Sequence, residues 1–167
     1  MASPKEYRLY SFVANLYLSP LQCGLQTAHV VSELSVQKNR HHRDNAYKTW
    51  AEQDKTIIIC AALNHGGVLD CYAELERINS ALLLPCALFR EDEVSMNGMA
   101  TACGVIVPKE YYDVQFFEEA TTYGLDKAVK HTEAYWEHGL PDGKMKRYPL
   151  THAEGQFISH IKKFRLA

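Results

Sequence analysis

Apolar residues recur with two different periods along the chain, and the β-type period predicts four strands. Tyr7–Tyr17 is rich in β-forming residues and predicts the first strand. Thr56–Leu63 is a continuous apolar run with three consecutive isoleucines, which is typical of a strand covered on both faces. Leu82–Phe89 and Ala100–Val107 predict two more strands, and Pro85 indicates that the former lies at a sheet edge or bulge.

The helical period separates these strands. Ser19 and Pro20 predict a helix start, because serine caps free N–H groups and proline at the first position lacks one that would be unpaired. This helix extends to about Gln37. Its apolar stripe is Leu21, Leu25, Ala28 and Ser32, widened by Val31 and Leu34.

Two further segments before the last strands carry helix and turn signals. Asp44 or Asn45 is predicted to cap a short helix that ends at Trp50. Asn64–Gly67 predicts a turn, and Val68–Asn79 an amphipathic helix. The apolar face of that helix is Leu69, Tyr72, Leu75 and Ile78. Arg90–Asn97 is polar and predicts a loop.

The remainder of the chain predicts helices over Gln115–Tyr123 and Leu125–Trp136, then a last helix capped by Thr151. The element order predicts an α/β fold, in which a mixed sheet carries helices on its faces. We therefore predict an α/β core over residues 1–113. Residues 114–167 form a helical extension that packs on the same domain.

Composition narrows the class of protein. A chain of 167 residues is long enough to bury its own core, and a net charge of −2 does not indicate nucleic-acid binding by the whole surface. No apolar run approaches the roughly 20 residues of a membrane helix, and the N-terminus lacks the pattern of a signal peptide. Five cysteines without a C-x-x-C pair predict buried reduced thiols in a cytoplasmic protein. We predict no metal and no cofactor.

Candidate chemistry rests on single positions, since the chain contains no Walker loop, G-x-G-x-x-G or G-x-S-x-G motif. A strand that runs into a capped helix is a common ligand site, because the helix N-terminus presents N–H groups above the sheet. Gln26 and His29 share one face of that helix. His29 is either a hydrogen-bonded core residue or an imidazole that faces a ligand, and both interpretations stay open here.

Charged clusters have a structural and a functional interpretation. Arg40–Arg43 is either a solvated loop or a patch that contacts phosphate through the planar guanidinium forks. Glu91–Glu93 either forms part of a turn without a chemical role or supplies a general base. Ser95 and Thr101 lie close to it in sequence and are able to hydrogen-bond a ligand.

The stretch Leu18–His29 resembles the first strand-to-helix junction of the type II peptidyl-tRNA hydrolase superfamily. In that family a Met-Ser-Lys-Gly-Lys-like opening leads to Ala-Ala-Gln-x-Ala-His, and Gln26, Ala28 and His29 match it residue for residue. Leu82–Pro108 resembles the family's last two strands, which an acidic, glycine-containing loop joins. The resemblance spans about residues 7–113. It implies a mixed four-stranded sheet with helices on both faces, the peptidyl-tRNA hydrolase II-like fold.

The departures from the family concern its catalytic groups. Pro20 and Gln22 replace the lysines of the opening, which removes charge that would face a tRNA phosphate. The family's Asp-Ala-Gly-Arg-Thr loop, with its catalytic aspartate and threonine, is not present, and Glu91 and Ser95 are the nearest substitutes. The extra methylene of glutamate is enough to misplace a base by the roughly 1 Å that costs about 10²-fold in rate. This pattern indicates a pocket with another use.

Three hypotheses follow. The first is a non-catalytic protein that holds a small nucleotide or nucleotide-derived ligand between the first helix and the loop at Glu91–Gly98, for instance to sequester a nucleotide signal as a viral counter-defence protein does. The second is a peptidyl-tRNA hydrolase that cleaves the peptide–tRNA ester with His29, Glu91 or Ser95. The third is a structural oligomer, expected as a homodimer or larger homo-oligomer because family members often dimerise. The candidate ligand-binding residues are Gln22, Gln26, His29, Arg40, Arg43, Glu91, Ser95, Asn97 and Thr101.

Overall fold

A computed structural model describes residues 6–16, 19–37, 43–62, 64–111 and 152–167. The elements in chain order are β1 (Tyr7–Val13), α1 (Pro20–Val36), α2 (Arg43–Thr49), a π-helical turn (Trp50–Asp54), β2 (Thr56–Ala61), α3 (His65–Asn79), β3 (Cys86–Arg90), α4 (Glu93–Met96), β4 (Ala100–Pro108), a 3-10 turn (Lys109–Tyr111) and α5 (His152–Ile161). The helices predicted over 115–123 and 125–136, and the predicted cap Thr151, lie outside the described residues.

The strands form one four-stranded sheet in the order β2-β1-β4-β3. β1 and β2 are parallel, whereas β1 with β4 and β3 with β4 are antiparallel. The prediction of an α/β fold with a mixed four-stranded sheet is therefore confirmed. Both central strands, β1 and β4, are covered on each face.

Two apolar layers cover the sheet. On one face, α1 packs through Val30 and Leu34 onto Leu9 and Ile106 of the central strands. On the other face, α3 and α5 cover a second cluster that includes Phe12 of β1. Successive strand residues point to opposite faces, so the same two strands supply both layers.

The start of α1 is the one predicted from the sequence. Ser19 Oγ accepts a hydrogen bond from the backbone N–H of Gln22 at 3.1 Å. The Gln22 side-chain oxygen accepts from the Ser19 backbone N–H at 3.4 Å, so the two residues form a reciprocal capping box ahead of Pro20. This arrangement places the N-terminal end of α1 close to the point where β1 ends.

The buried face of α1 differs from the predicted one. The residues buried against the sheet are Gln26, Thr27, Val30 and Leu34. The predicted stripe of Leu21, Leu25, Ala28 and Ser32 faces solvent instead, with Leu21 83% and Leu25 57% exposed. Polar side chains are buried here because they pair across the interface, as when Thr27 Oγ1 lies 2.9 Å from Ser11 Oγ of β1.

The predicted double coverage of β2 is only partly right: Ile58 packs against the α3 side of the sheet and Ile59 against the α1 side. β2 is an edge strand, and Thr56 and Ile57 are exposed at its start. Its outer edge pairs with the chain end over two bonds: Ala61 N–H donates to the Arg165 carbonyl, and Ala167 N–H to the Ile59 carbonyl, each at 2.9 Å. An isoleucine run suits an edge strand as well as a central one, because β-branched residues favour the extended backbone in both.

The segment predicted as a turn before α3 is the first turn of that helix. Asn64 is the N-cap, and its side-chain oxygen accepts from the Gly67 N–H at 2.8 Å. The side of α3 that faces the sheet carries Val68, Cys71, Leu75 and Ile78, whereas Leu69 and Tyr72 are half-buried.

Four cysteines lie in the layer between α3 and the sheet. Cys60, Cys71, Cys86 and Cys103 are buried and form no disulfide, and Cys23 on α1 is half-buried. Burial raises the pKa of the Cys60 thiol to about 11, so that group stays protonated at neutral pH. The prediction of buried thiols is right for these four cysteines and only partly right for Cys23.

Asn79 at the end of α3 holds the connection to β3. Its side-chain oxygen accepts from the Leu84 N–H and its amide donates to the Leu84 carbonyl, both at 2.7 Å. We expect Asn79→Ala to lower the free energy of unfolding by about 2–3 kcal/mol, because both buried backbone groups of Leu84 lose their partner. Urea denaturation measures this loss. Ser80→Ala at the neighbouring exposed site is the control, and a similar loss in both variants would contradict the assignment.

Candidate functional site

A β-bulge in the β3–β4 pair directs Thr101 towards α1. Phe89 opposes Ala102, whereas the next residue, Arg90, opposes Ala100, so Thr101 is one extra residue on β4. Such an insertion changes the direction of a side chain relative to the regular alternation of the strand. Thr101 is fully buried, and its hydroxyl meets a side chain of α1 instead of joining the α3 face with Cys103.

Three side chains form a closed set of hydrogen bonds at this position, which we call the Gln26–Glu91–Thr101 network. The Gln26 amide nitrogen donates to Glu91 Oε1 at 2.9 Å. Thr101 Oγ1 lies 2.9 Å from Gln26 Oε1 and 3.2 Å from Glu91 Oε1, so its single proton serves both acceptors. Gln26 and Thr101 are buried and Glu91 is half-buried. The network joins α1, β4 and the segment after β3.

His29 lies one helical turn beyond Gln26 on α1. Its ring stacks on Phe89, with centroids 4.3 Å apart and planes 7° from parallel. Both residues are half-buried, so the stacked pair stands at the border between the core and solvent. The imidazole is therefore not enclosed among aliphatic side chains. A ligand-facing role requires an imidazole that is accessible in this way.

The segment Glu91–Met99, called the acidic loop below, positions Glu91. The Glu91 N–H donates to the Met99 carbonyl at 2.9 Å and closes the loop at its base. A guanidinium N–H of Arg90 donates to the Gly98 carbonyl at 3.1 Å. The prediction of an irregular loop is only partly right, because Glu93–Met96 forms one helical turn, α4, that contains Ser95. Asn97 is exposed at the tip.

Gln22 lies outside the network, and the side chains of the two predicted arginines lie outside what the structure describes. Gln22 is exposed in the first turn of α1, where its side chain completes the cap of Ser19. Arg40 lies outside the described residues. The backbone of Arg43 begins α2, and its side chain lies outside the described residues. The predicted phosphate contacts of both arginines stay predictions.

Sequence reasoning missed Phe89 as part of the site. The available signal is its position on β3, two residues after Ala87, which lies in the layer under α1. The period of a strand then directs Phe89 to the same face as His29. The contact between Thr101 and Glu91 had no comparable signal, because the bulge that produces it depends on how two strands pair.

Within the described ranges, no group of three or more His, Cys, Asp and Glu side chains is arranged to hold a metal ion. None of the described helices is long and apolar enough to cross a membrane. The chain matches no protein-family model and no curated protein. The network and the stacked pair beside it are therefore the observations on which a function has to be argued.

Proposed function

We propose that this protein binds a small nucleotide or nucleotide-derived ligand beside the Gln26–Glu91–Thr101 network and does not consume it. The observation that carries the proposal is the buried network next to the half-buried stack of His29 on Phe89. Carboxylate and amide groups match the donors and acceptors on the edge of a base, and aromatic rings stack on its face. The amide of Gln26 and the imidazole of His29 stand one helical turn apart on α1.

Burial of Thr101 argues against catalysis by its hydroxyl. Its hydroxyl has no exposure to solvent, so an ester carbonyl is unable to approach Oγ1 without movement of α1 or the acidic loop. Gln26 is also buried and holds its amide between two fixed partners. Glu91 is the half-buried member of the network, so a ligand beside the network would meet its carboxylate first.

Titration calorimetry against mononucleotides and dinucleotides tests the proposal. We expect one class to bind and to be recovered unchanged by chromatography after hours of incubation. His29→Ala should weaken that binding about tenfold or more, because stacking on one base contributes about 1–3 kcal/mol. Ser32→Ala, on the exposed face of the same helix, should leave the affinity unchanged. Absence of binding across the panel, or consumption of the ligand, would overturn the proposal.

A second candidate is an esterase that acts on peptidyl-tRNA, and one contact favours it. Thr101 Oγ1 lies 3.2 Å from Glu91 Oε1, which is the pairing of threonine with carboxylate that the family resemblance implies for catalysis. The test is release of an N-blocked amino acid from its tRNA ester. Release above background that Glu91→Gln abolishes would support this candidate; no release would remove it.

A homodimer is the third candidate, and the outward stripe of α1 favours it. Leu21, Leu25 and Val36 are 83%, 57% and 73% exposed, and Glu33 is the one acidic residue in this helix, which contains no Lys or Arg. Exposed apolar patches mark interaction surfaces, and an almost uncharged stripe pairs with its own copy without repulsion. Light scattering should report a dimer that the double variant Leu21→Lys, Leu25→Lys converts to a monomer. A wild-type monomer at high concentration would exclude it.

A further inference from the structure

The turn from α4 into β4 requires an unusual backbone conformation. Asn97 and Gly98 have φ values of +52° and +64°, both in the left-handed region. The Met99 N–H donates to the Met96 carbonyl at 3.1 Å and closes the turn. These are the features of a type I′ turn, in which asparagine followed by glycine is the preferred pair. The chain contains this dipeptide once.

We propose that Asn97 is a site of spontaneous deamidation. The Gly98 backbone nitrogen loses its proton and attacks the side-chain carbonyl carbon of Asn97. The bond from that carbon to the amide nitrogen breaks, this nitrogen takes up the proton that Gly98 lost and leaves as ammonia, and a five-membered succinimide forms. Water then opens one of the two succinimide carbonyls and yields aspartate or isoaspartate. The glycine has no Cβ to obstruct the attack.

The surroundings of the turn leave both reacting groups accessible. Asn97 is exposed, and its side chain makes no hydrogen bond to another described residue. The Gly98 N–H lies 3.5 Å from the Asp92 carbonyl, which is longer than an ordinary hydrogen bond. Val94, in the helical turn just before, is 97% exposed, so little packing resists opening of this segment.

Two other asparagines lack these features. Asn79 is buried and its amide is held by the backbone of Leu84. Asn64 caps α3 through its side-chain oxygen, and His65 follows it, whose Cβ hinders attack. The deamidation rates of Asn64 and Asn79 are therefore internal references for the rate at Asn97 in the same molecule.

The modification alters the loop that carries Glu91. Isoaspartate adds a methylene to the main chain between Asn97 and Gly98, and either product adds a negative charge close to Asp92 and Glu93. The lengthened chain no longer fits the turn, so the hydrogen bond from the Glu91 N–H to the Met99 carbonyl weakens. The reaction itself does not depend on the proposed function, whereas its effect on Glu91 bears on the same site.

Incubation of the purified full chain at physiological temperature tests the proposal, with peptide mass mapping and an isoaspartate methyltransferase assay as readouts. We expect conversion at Asn97 at least several-fold faster than at Asn64 or Asn79, and faster at alkaline than at mildly acidic pH, because the attacking nitrogen has to lose its proton. Asn97→Gly keeps the left-handed backbone and should stay unmodified. Conversion at Asn97 only after unfolding in urea, or at equal rates at all three asparagines, would overturn the site.

Asn97→Asp separates charge from main-chain length, because it carries the new charge without the extra methylene. The isoaspartate fraction, separated from the aspartate product by hydrophobic-interaction chromatography, should have a lower thermal midpoint than this variant. Amide exchange at Glu91 should also be faster in that fraction than in the variant. Equal midpoints and equal exchange would show that the lengthened backbone leaves the acidic loop intact, which would contradict the structural consequence proposed here.

Discussion

Replacing Gly104 with alanine is expected to lower the free energy of unfolding by about 3 kcal/mol, at the upper end of what overpacking costs. Gly104 lies in the middle of β4, directly beneath α1. A Cβ atom there would stand 2.7 Å from a methyl group of Val30 and 2.9 Å from the carbonyl oxygen of Tyr10. The methyl group is able to move only by repacking α1, and the carbonyl is fixed in a central strand. The loss is a large fraction of the stability of an ordinary domain.

Urea denaturation of Gly104→Ala measures this loss, and the chain offers a matched control. At Gly24, on α1, a Cβ would meet nothing within 4 Å other than its chain neighbours and the backbone of its own helix. Gly24→Ala should therefore stabilise the protein by up to about 1 kcal/mol through helix propensity. If the overlap with Val30 is the cause, adding Val30→Ala to Gly104→Ala should cost less than Val30→Ala alone. A loss below about 0.5 kcal/mol in Gly104→Ala would contradict the packing described here.

The second large effect is expected for Gln26→Leu. Leucine removes the closer of the two acceptors of the buried Thr101 hydroxyl and a donor to Glu91, so we expect a loss of about 2 kcal/mol in the free energy of unfolding. Under the proposed function the same variant should also abolish the binding heat. Gln53→Leu makes the same change at an exposed position of the π-helical turn, and should be nearly neutral.

Thr101 provides the test that the network, rather than local packing, is responsible. Thr101→Val keeps the shape and removes the hydroxyl, whereas Thr101→Ser keeps the hydroxyl and removes a methyl group. We expect the valine variant to be destabilised by about 1–3 kcal/mol. Gln26→Leu combined with Thr101→Val should cost less than the sum of the two. Strict additivity, or a valine variant as stable as the wild type, would show that the hydrogen bonds contribute little.

Local signals in the sequence determined the element order and several boundaries. Ser19 and Pro20 marked the start of α1, and the continuous apolar run at Ala100–Val107 marked the buried strand β4. Such features depend on neighbours within a few residues: a cap satisfies the N–H groups of the next turn, and a strand between two layers needs apolar side chains on both faces. The members of the candidate network were also among the residues selected by type and position.

The geometry of the site was decided by tertiary packing. The family resemblance made Glu91 and Ser95 the nearest substitutes for the catalytic pair, whereas the bulge in β4 brings Thr101 to Glu91. A bulge arises from the pairing of two strands, and no residue type near Thr101 predicts it. The stacking of His29 on Phe89 likewise joins two elements that are distant in sequence.

The orientation of α1 separates what the sequence determined from what tertiary packing decided. The hydrophobic period specified a helix over these residues, but its leucine stripe faces solvent while Gln26 and Thr27 are buried. The strands beneath supply Ser11 and Thr101, whose hydroxyls satisfy the buried polar groups, and Gly104, which makes room for Val30. Periodicity establishes that a helix forms. The side of it that is buried depends on which surface of the sheet complements its shape and its hydrogen bonds, and that surface exists only after distant strands have paired.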